Sequence, residues 1–500
     1  MAQNLSNIRR DVIVFLAIFV ICLCAFGETL SHPFMMDDKV VLGQGARGLS
    51  VESVVACFNP QHGALVYYRP VANLAHLLLY HWSAGQAFYY RLANIFLFTV
   101  LLGVVYFFTR RLFKDKRAAL LTVLFFCLHP INGFYVNYIT CHAVLLWGIL
   151  MFAALYTHLC FIDGNRRIAW LWVSVFLYFG ALGTQEMSVV LPMYIFLLNL
   201  FRQASWAEAF KRSLPYVVLT VVWIVLRIMF FSSGHNVLGM IAHGAGWMGL
   251  HAGNYFPSLL ILIGWYIQQL IVPTQVLFMK SFGPVHGNEC LINAVVVLIL
   301  GVVVFVIRGI PSRLVKWSSI WLLAGFLPLG YAALIYPAQG LTIEPHWMMV
   351  GSLGFFWIVA LLAVEWQKHV RYFVWVIAFL LVVTTLAMYT KTYNALWRSQ
   401  KSYCEYWLSI EPWHQLPNFW LGYDYAQKGN LPLAKYFFKR SLTGWYIDWE
   451  VFVNLGVIAR REGKLDEALQ WDRKALALNP TFTEALHDLN VLAAIRGQHP

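Results

Sequence analysis

Charge is what this sequence has least of. Its 500 residues include only 23 Asp and Glu, and charged residues of both signs make up 12% of the chain, against about 25% in an ordinary soluble domain. The space is taken by apolar residues: 60% are hydrophobic and 17% aromatic, and the mean hydropathy is +0.64. A chain of that composition is a polytopic membrane protein. Cysteine is also sparse. The eight cysteines contain no CxxC pair, and Cys22, Cys24 and Cys160 fall in or beside apolar runs, which excludes a zinc framework and a disulfide scaffold. Cys57 and Cys290 are the one pair that the loops could bring together outside the membrane. The formal charge of +13 raises nucleic acid as a partner, but the Lys and Arg sit in short blocks between apolar runs. That is topogenic charge, and no nucleic-acid partner is expected.

In chain order, Arg9-Arg10 precede an apolar run over 12–26. A positive start and a short apolar core also fit a signal peptide. The run Cys24-Ala25-Phe26-Gly27 is a poor cleavage site and many apolar runs follow, so the segment reads as an uncleaved first span with its start inside and Asp37-Asp38 outside. Pro70 opens a segment that looks like an interfacial amphipathic helix. Spans are expected over 89–108, 118–128, 142–161, 168–182, 187–201 and 214–231, the longest matching what a bilayer needs. The basic blocks Arg110-Arg111 with Lys114, Lys116 and Arg117, then Arg166-Arg167, then Arg202 with Lys211-Arg212 fall in alternate turns, and the opposite turns carry almost no Lys or Arg. Residues 257–272, with Pro257, Gly264 and Pro273, read as a re-entrant or interfacial segment, because only then do Arg308, Arg313 and Lys316 lie inside. Later spans are expected over 291–307, 317–333, 347–365 and 371–390, giving about eleven crossings and an outward C-terminal region.

From Lys391 onward the composition is that of a soluble domain, and it repeats. Leu421-Gly422, Leu455-Gly456 and Leu489-Asn490 recur every 34 residues, as do Gly429, Gly463 and Gly497, and Ala434 matches Ala468. With Tyr425, Phe438, Ala475 and Pro480 these fill positions of the tetratricopeptide pattern, two full units and a partial third. The expected architecture is therefore all-α: a polytopic helical membrane domain over 1–390 and an extracytoplasmic repeat domain over 391–500.

On that topology the outward ends of the spans carry Asp37, Asp38, Tyr68, Arg69, His129, Asn132, His142, Gln185, Glu186, Arg227, Glu344 and His346. Each has a plain structural reading. His129-Pro130 ends a helix, and Arg227, one turn inside its span, reaches toward headgroups. Together they describe an external cavity with carboxylates for base work and guanidinium groups for a phosphate. A transporter would place charge at the bilayer midplane and show inverted repeats, neither of which is visible. A membrane scaffold presenting a repeat domain would have no use for the acid pair, Glu186 or Arg227.

These residues carry a resemblance. The chain resembles the GT-C fold glycosyltransferases, most specifically the transmembrane and tetratricopeptide-repeat-containing O-mannosyltransferases and their bacterial relatives, through Asp37-Asp38, Tyr68-Arg69-Pro70, the stretch from Tyr90 to Asn94, His129-Pro130, Glu186, Arg227, Glu344 and the repeats. It departs from them where Thr184-Gln185-Glu186 lacks the family's lysine, where Glu344-Pro345-His346 lacks its arginine, and where Arg91 replaces a histidine. The resemblance implies transfer of a sugar from a polyprenyl-phosphate-linked donor to an acceptor hydroxyl on the non-cytoplasmic face. Asp37 or Asp38 would be the general base. Arg69 and Arg227, with Tyr68, would meet the donor phosphate. Glu186, Glu344, His346, His129 and His142 would position sugar or acceptor. A divalent metal held by Asp38, Glu186 and Glu344 is an alternative with no support of its own. The repeats favour a protein or peptide acceptor over O-antigen or another glycolipid. No Asn-x-Ser/Thr sequon lies in an expected outer loop, which favours a bacterial inner membrane facing the periplasm over an endoplasmic reticulum lumen.

Overall fold

The computed structural model describes residues 2–38, 42, 48–59, 68–164, 167–230, 262–282, 298, 301, 312–329, 341–443, 449–479 and 486. Lys39, Tyr67, Cys290, the turn expected at 232–254, the span expected at 291–307 apart from 298 and 301, and the third repeat at Leu489-Asn490 and Gly497 lie outside the described residues.

The described chain is helical, apart from a two-stranded antiparallel ribbon in which Lys280–Phe282 pairs with Leu341–Ile343, Lys280 opposite Ile343. Among the described residues, six helices are long and apolar enough to cross a bilayer: Arg9–Ser31, Ala87–Phe113, Ile139–Asp163, Trp206–Met229, Pro345–Trp366 and Tyr372–Leu396. A seventh arises if Lys116–Leu128 and Pro130–Asn137, bent by 64°, make one span. His129-Pro130 causes the bend. Proline has no N–H to continue the first helix, and the second starts with Pro130 at its first turn while His129 accepts the Ile131 N–H at 3.3 Å. Ile168–Leu182 and Glu186–Phe201 are shorter apolar helices. Apolar surface points outward on several of these elements: only 17% of the apolar stretch of Trp206–Met229 and 6% of that of Tyr372–Leu396 is buried. Faces carrying Phe176, Met229, Phe373 and Leu381 in the open need a hydrocarbon solvent, and the protein is a multi-pass α-helical membrane protein.

Buried hydrogen bonds tie the helices together, as expected where burial of apolar area no longer drives association. His158 contacts the Tyr216 hydroxyl at 2.9 Å and Asn199 at 3.0 Å, Tyr216 donates to Ser174 at 2.7 Å, and Ser174 donates to the Ala154 carbonyl at 2.6 Å. That network joins four consecutive helices. Elsewhere the helices Arg313–Ala324 and Met349–Trp366 meet through glycine: a Cβ on Gly351 would lie 2.6 Å from the Cα of Gly325. Basic turns gather at one end, where Arg110 pairs with Asp11 at 2.6 Å and Asp163 receives both Arg111 at 3.4 Å and Arg202 at 3.1 Å.

Contacts divide the chain into two units, Met1–Pro337 with Leu341–Ala395, and Leu396–Pro500 with Ala338–Gly340. The composition change at Lys391 falls in the last turns of the Tyr372–Leu396 helix. Within the second unit, Gln415–Gln427 and Trp449–Arg461 begin 34 residues apart, and so do their partners Leu431–Ser441 and Leu465–Leu478. Gly429 and Gly463 take φ of +76° and +73° at the two hairpin turns, a conformation that costs glycine nothing. Phe419, Ala434, Phe438, Val451, Leu455 and Ile458 form the core of this unit.

Gly351→Val should disrupt the glycine seam. Its β-branched side chain meets backbone, which has no rotamer to yield, and the cost is about 3 kcal/mol or more. Thermal melting of the purified variant in detergent should show a lowered or absent transition; a melt equal to wild type would mean that the helices do not approach as described.

Candidate functional site

The first loop is built by one buried arginine. Arg91 lies in the first turns of Ala87–Phe113 and is fully buried. Its guanidinium donates to three backbone carbonyls: His32 at 2.9 Å, Pro33 at 2.6 Å and Asn137 at 2.8 Å. Two of these open the segment that carries the acid pair. Met35 and Met36 are buried after them, and Met36 adopts φ +49°. Met36 and Asp37 form a turn that leads into Asp38. The Asp38 N–H donates to the Met35 carbonyl at 3.0 Å, and the Met35 N–H donates to Asp38 Oδ2 at 2.8 Å. This local exchange, which extended backbone cannot make, fixes one carboxylate oxygen. The other, Oδ1, is buried with no hydrogen-bond partner among the described residues.

Burial pushes the Asp38 carboxyl up to about 7, against the opposing pull of the Met35 N–H and Arg91, with Asp37 adding a further push. Asp37 is half-buried. Its carboxyl is also raised by burial; the Tyr138 hydroxyl bonded to it lowers it, and the nearby Glu344 carboxylate raises it.

From Glu344 a polar chain runs to the second cluster. The strand Leu341–Ile343 delivers Glu344, whose backbone carbonyl accepts the Tyr266 hydroxyl from the helix over 262–271. The Glu344 carboxylate lies 2.9 Å from His346 Nδ1, and His346 Nε2 meets the Gln185 amide at 2.8 Å. Glu186 follows. It accepts Arg69 Nε at 2.8 Å and Nη2 at 2.6 Å, and its other oxygen lies 3.1 Å from Arg227 Nη2. Arg227, which the sequence alone would let reach toward headgroups, shares Glu186 with Arg69, because one partly buried carboxylate holds two cations at lower cost than three separate ions. The trio keeps one net positive charge. Tyr68 fastens the same segment to the Trp206–Phe230 helix: its ring stacks on Trp223 at 5.7 Å and its hydroxyl donates to the Phe58 carbonyl at 3.0 Å. The Val71 N–H, bonded to the Gly183 carbonyl at 2.9 Å, docks the start of Pro70–Ser83 beside Glu186.

The remaining expected residues divide. His129 uses both ring nitrogens on backbone, one as the helix cap and Nε2 on the Leu270 carbonyl at 3.1 Å. His142 is buried, its Nδ1 on the Ile139 carbonyl at 2.9 Å. No three His, Cys, Asp or Glu side chains converge as a metal ion needs among the described residues, and Glu186 is occupied by two guanidinium groups, so Asp38, Glu186 and Glu344 are not a ready ligand set. Sequence reasoning passed over the clamp role of Arg91, the Tyr138 hydroxyl and His76. An arginine four residues inside an apolar helix was the available signal, since intramembrane cations are rare without a task; nothing marked Tyr138 among the other aromatics. No protein-family model matches the chain, and no curated protein matches it.

Arg91→Ala removes a buried donor from three carbonyls at once, and each orphaned group costs about 1–3 kcal/mol. The variant should melt well below wild type, with Arg91→Lys only partly restoring stability; an Arg91→Ala protein as stable as wild type would refute the clamp.

Asp38 makes a prediction with a definite sign. Its folded pKa near 7 lies above the unfolded value, so the folded state holds the extra proton between about pH 4 and 7, and stability falls as pH rises through that window. The full penalty above pH 7 is at most roughly 4 kcal/mol. Asp38→Asn should flatten this part of the stability profile and melt higher than wild type at pH 8; parallel profiles would place Asp38 in water.

Proposed function

We propose that this protein is a membrane glycosyltransferase of the GT-C type, which moves a sugar from a polyprenyl-phosphate carrier to an acceptor hydroxyl at the end of the bundle opposite its basic turns. The observation that carries the reading is a set of polar groups gathered between two ends. A buried carboxylate with one unsatisfied oxygen stands at one end, two arginines around a shared glutamate at the other, and Glu344, His346 and Gln185 lie between. Base chemistry needs the first and a phosphate leaving group needs the second.

In this mechanism the acceptor oxygen attacks the anomeric carbon while the bond from that carbon to the phosphate oxygen breaks. The acceptor proton passes to Asp38. A carboxyl near 7 suits the role, since a base works best with a pKa close to the operating pH. Asp37, held by Tyr138 and facing Glu344, orients the acceptor. The carrier departs as a phosphate monoester whose extra negative charge is met by Arg69 and Arg227, and Glu186 holds both guanidinium planes ready so that little reorganisation accompanies the step. No metal is needed for this assignment.

The wider architecture follows the same reading. About eleven crossings, counting the bent pair, the two shorter apolar helices and the spans expected at 291–307 and 317–333, leave the site and the C-terminal region extracytoplasmic, in the periplasm of a bacterium. The helix starts spaced by 34 residues and the two turn glycines support a tetratricopeptide domain. Such a domain recruits a protein acceptor, and O-glycosylation of protein is accordingly preferred to modification of a glycolipid.

The test is transfer by purified protein in proteoliposomes supplied with undecaprenyl-phosphate hexoses and with either peptide or glycolipid acceptors. Wild type should consume one of the donors, at a rate rising through about pH 7. Asp38→Asn should lose about a hundredfold to ten-thousandfold in turnover while binding donor normally, and Arg227→Lys should turn over more slowly although charge is kept. A folded wild-type protein that consumes none of the donors, or an Asp38→Asn variant with unchanged turnover, would sink the assignment.

A further inference from the structure

Between the acid pair and Arg69 lies a second set of buried polar atoms that the mechanism above does not use. His76 and His142 meet edge to face, ring centroids 4.2 Å apart and planes at 87°. His76 Nδ1 and His142 Nε2 are both buried with no hydrogen-bond partner among the described residues, although the other His142 nitrogen is held by the Ile139 carbonyl. The His142 side chain is 2% exposed. Two orphaned imidazole nitrogens in one contact are a standing cost to the fold unless something polar completes them.

Their position says what that is. Arg69 caps Pro70–Ser83, and His76 follows it by seven residues, two helical turns, so both lie on one face about 10 Å apart along the axis. His76 is close enough to Arg69 and His142 to feel their charge. On the other side His142 packs against the Tyr90 ring at 6.1 Å, and Tyr90 lies within electrostatic reach of Asp38 and against Phe34 at 5.7 Å. Cys141, next to His142 in the chain, feels both Asp38 and Glu344. The imidazole pair therefore stands between a phosphate-binding arginine and the proposed base, which is where the sugar of a glycosyl phosphate must sit.

We propose that His76 and His142 form the subsite for the donor's sugar, each offering one ring nitrogen to a sugar hydroxyl, with the Tyr90 ring as its wall. The assignment rests on the glycosyltransferase reading and names the part of the donor that this pair holds. Burial, His142 and Arg69 keep His76 neutral, and a neutral imidazole nitrogen can accept a hydroxyl proton or, in its other tautomer, donate one. With Asp38, Asp37 and Glu344 on one side and no cation contributed by the pair itself, the subsite favours a neutral hydroxyl-bearing ring over a carboxylated one. Both histidines are positioning residues in this scheme, since neither touches the bond that breaks.

Binding to the purified full-length protein in detergent separates this claim from the reading beneath it. The probes are undecaprenyl phosphate alone and the same carrier bearing glucose, galactose, mannose or a uronic acid. Wild type should bind bare carrier, and at least one neutral glycosylated carrier about tenfold more tightly. His76→Phe and His142→Phe keep the aromatic contact and delete the nitrogens, so the preference should shrink to less than about twofold while bare-carrier affinity stays unchanged. His76→Asn and His142→Gln, which return a polar atom near each nitrogen, should recover most of it. Arg69→Ala should weaken every probe alike. On wild type, imidazole nitrogen resonances of His76 and His142 should shift with the preferred glycosylated carrier and stay in place with bare carrier, a measurement that stands even if the Phe variants fail to fold. Preference kept by both Phe variants, equal wild-type affinity for all carriers, a preference for the uronic acid, or unmoved resonances would overturn the subsite while leaving the transferase reading intact. Absence of any carrier binding by wild type would overturn both.

Discussion

The structure depends on one guanidinium. Arg91 is buried with three backbone carbonyls around it, two from the loop after the first span and one from the end of Pro130–Asn137. A cation in such a place is costly by itself, and three aligned carbonyl dipoles are costly when unmet. Joined, they cancel, and the loop is held in a path that an apolar chain would not choose. Everything the acid pair does follows from that path: the left-handed Met36, the turn that brings the Met35 N–H onto Asp38, and the nearness of Asp37 to Tyr138 and Glu344.

The same economy governs the rest of the membrane unit. Several polar side chains there join elements. Asn137 donates to the Asn394 side-chain oxygen at 2.6 Å, Asn394 donates to the Ala25 carbonyl at 2.8 Å, and Thr390 donates to the Leu128 carbonyl at 2.6 Å, which pins the end of the Tyr372–Leu396 helix to the region that carries the first loop. Asp38 Oδ1, His76 Nδ1 and His142 Nε2 are among the buried polar atoms with no hydrogen-bond partner among the described residues. Under the proposed reading, these three atoms are the ones that the donor and acceptor would complete.

Charge is also sorted by length along the bundle. Asp11, Asp163 and the arginines that pair with them are at one end, whereas Glu186, Arg69 and Arg227 form a compact trio elsewhere. The first group answers the needs of insertion, where short basic turns set orientation. The second does not, for it places two guanidinium groups and one carboxylate at partly buried positions, contributed by the start of Pro70–Ser83, the turn before Leu191–Phe201 and the far part of Trp206–Phe230. A trio with one net positive charge, assembled from three distant stretches, is a poor stabiliser, and its excess charge is what the proposed phosphate would answer.

The sequence by itself determined the class of the protein and the places of its helices. Length and apolarity of runs decide whether a segment can satisfy its own backbone in hydrocarbon, and that is a local property; Ile168–Leu182 and the helices around 87–113 and 142–163 stand where periodicity and hydropathy put them. The 34-residue spacing was equally local, since each hairpin repeats its own turn glycine. Partnership was not. That Arg227 shares Glu186 with Arg69, that His129 is consumed by backbone, that a turn at Asp37 leads into Asp38, and that His76 meets His142 all involve atoms brought together across tens to hundreds of residues or bent by a neighbour's hydrogen bonds. Whether a polar side chain is satisfied depends on what packs against it, and only the tertiary structure brings those groups into range.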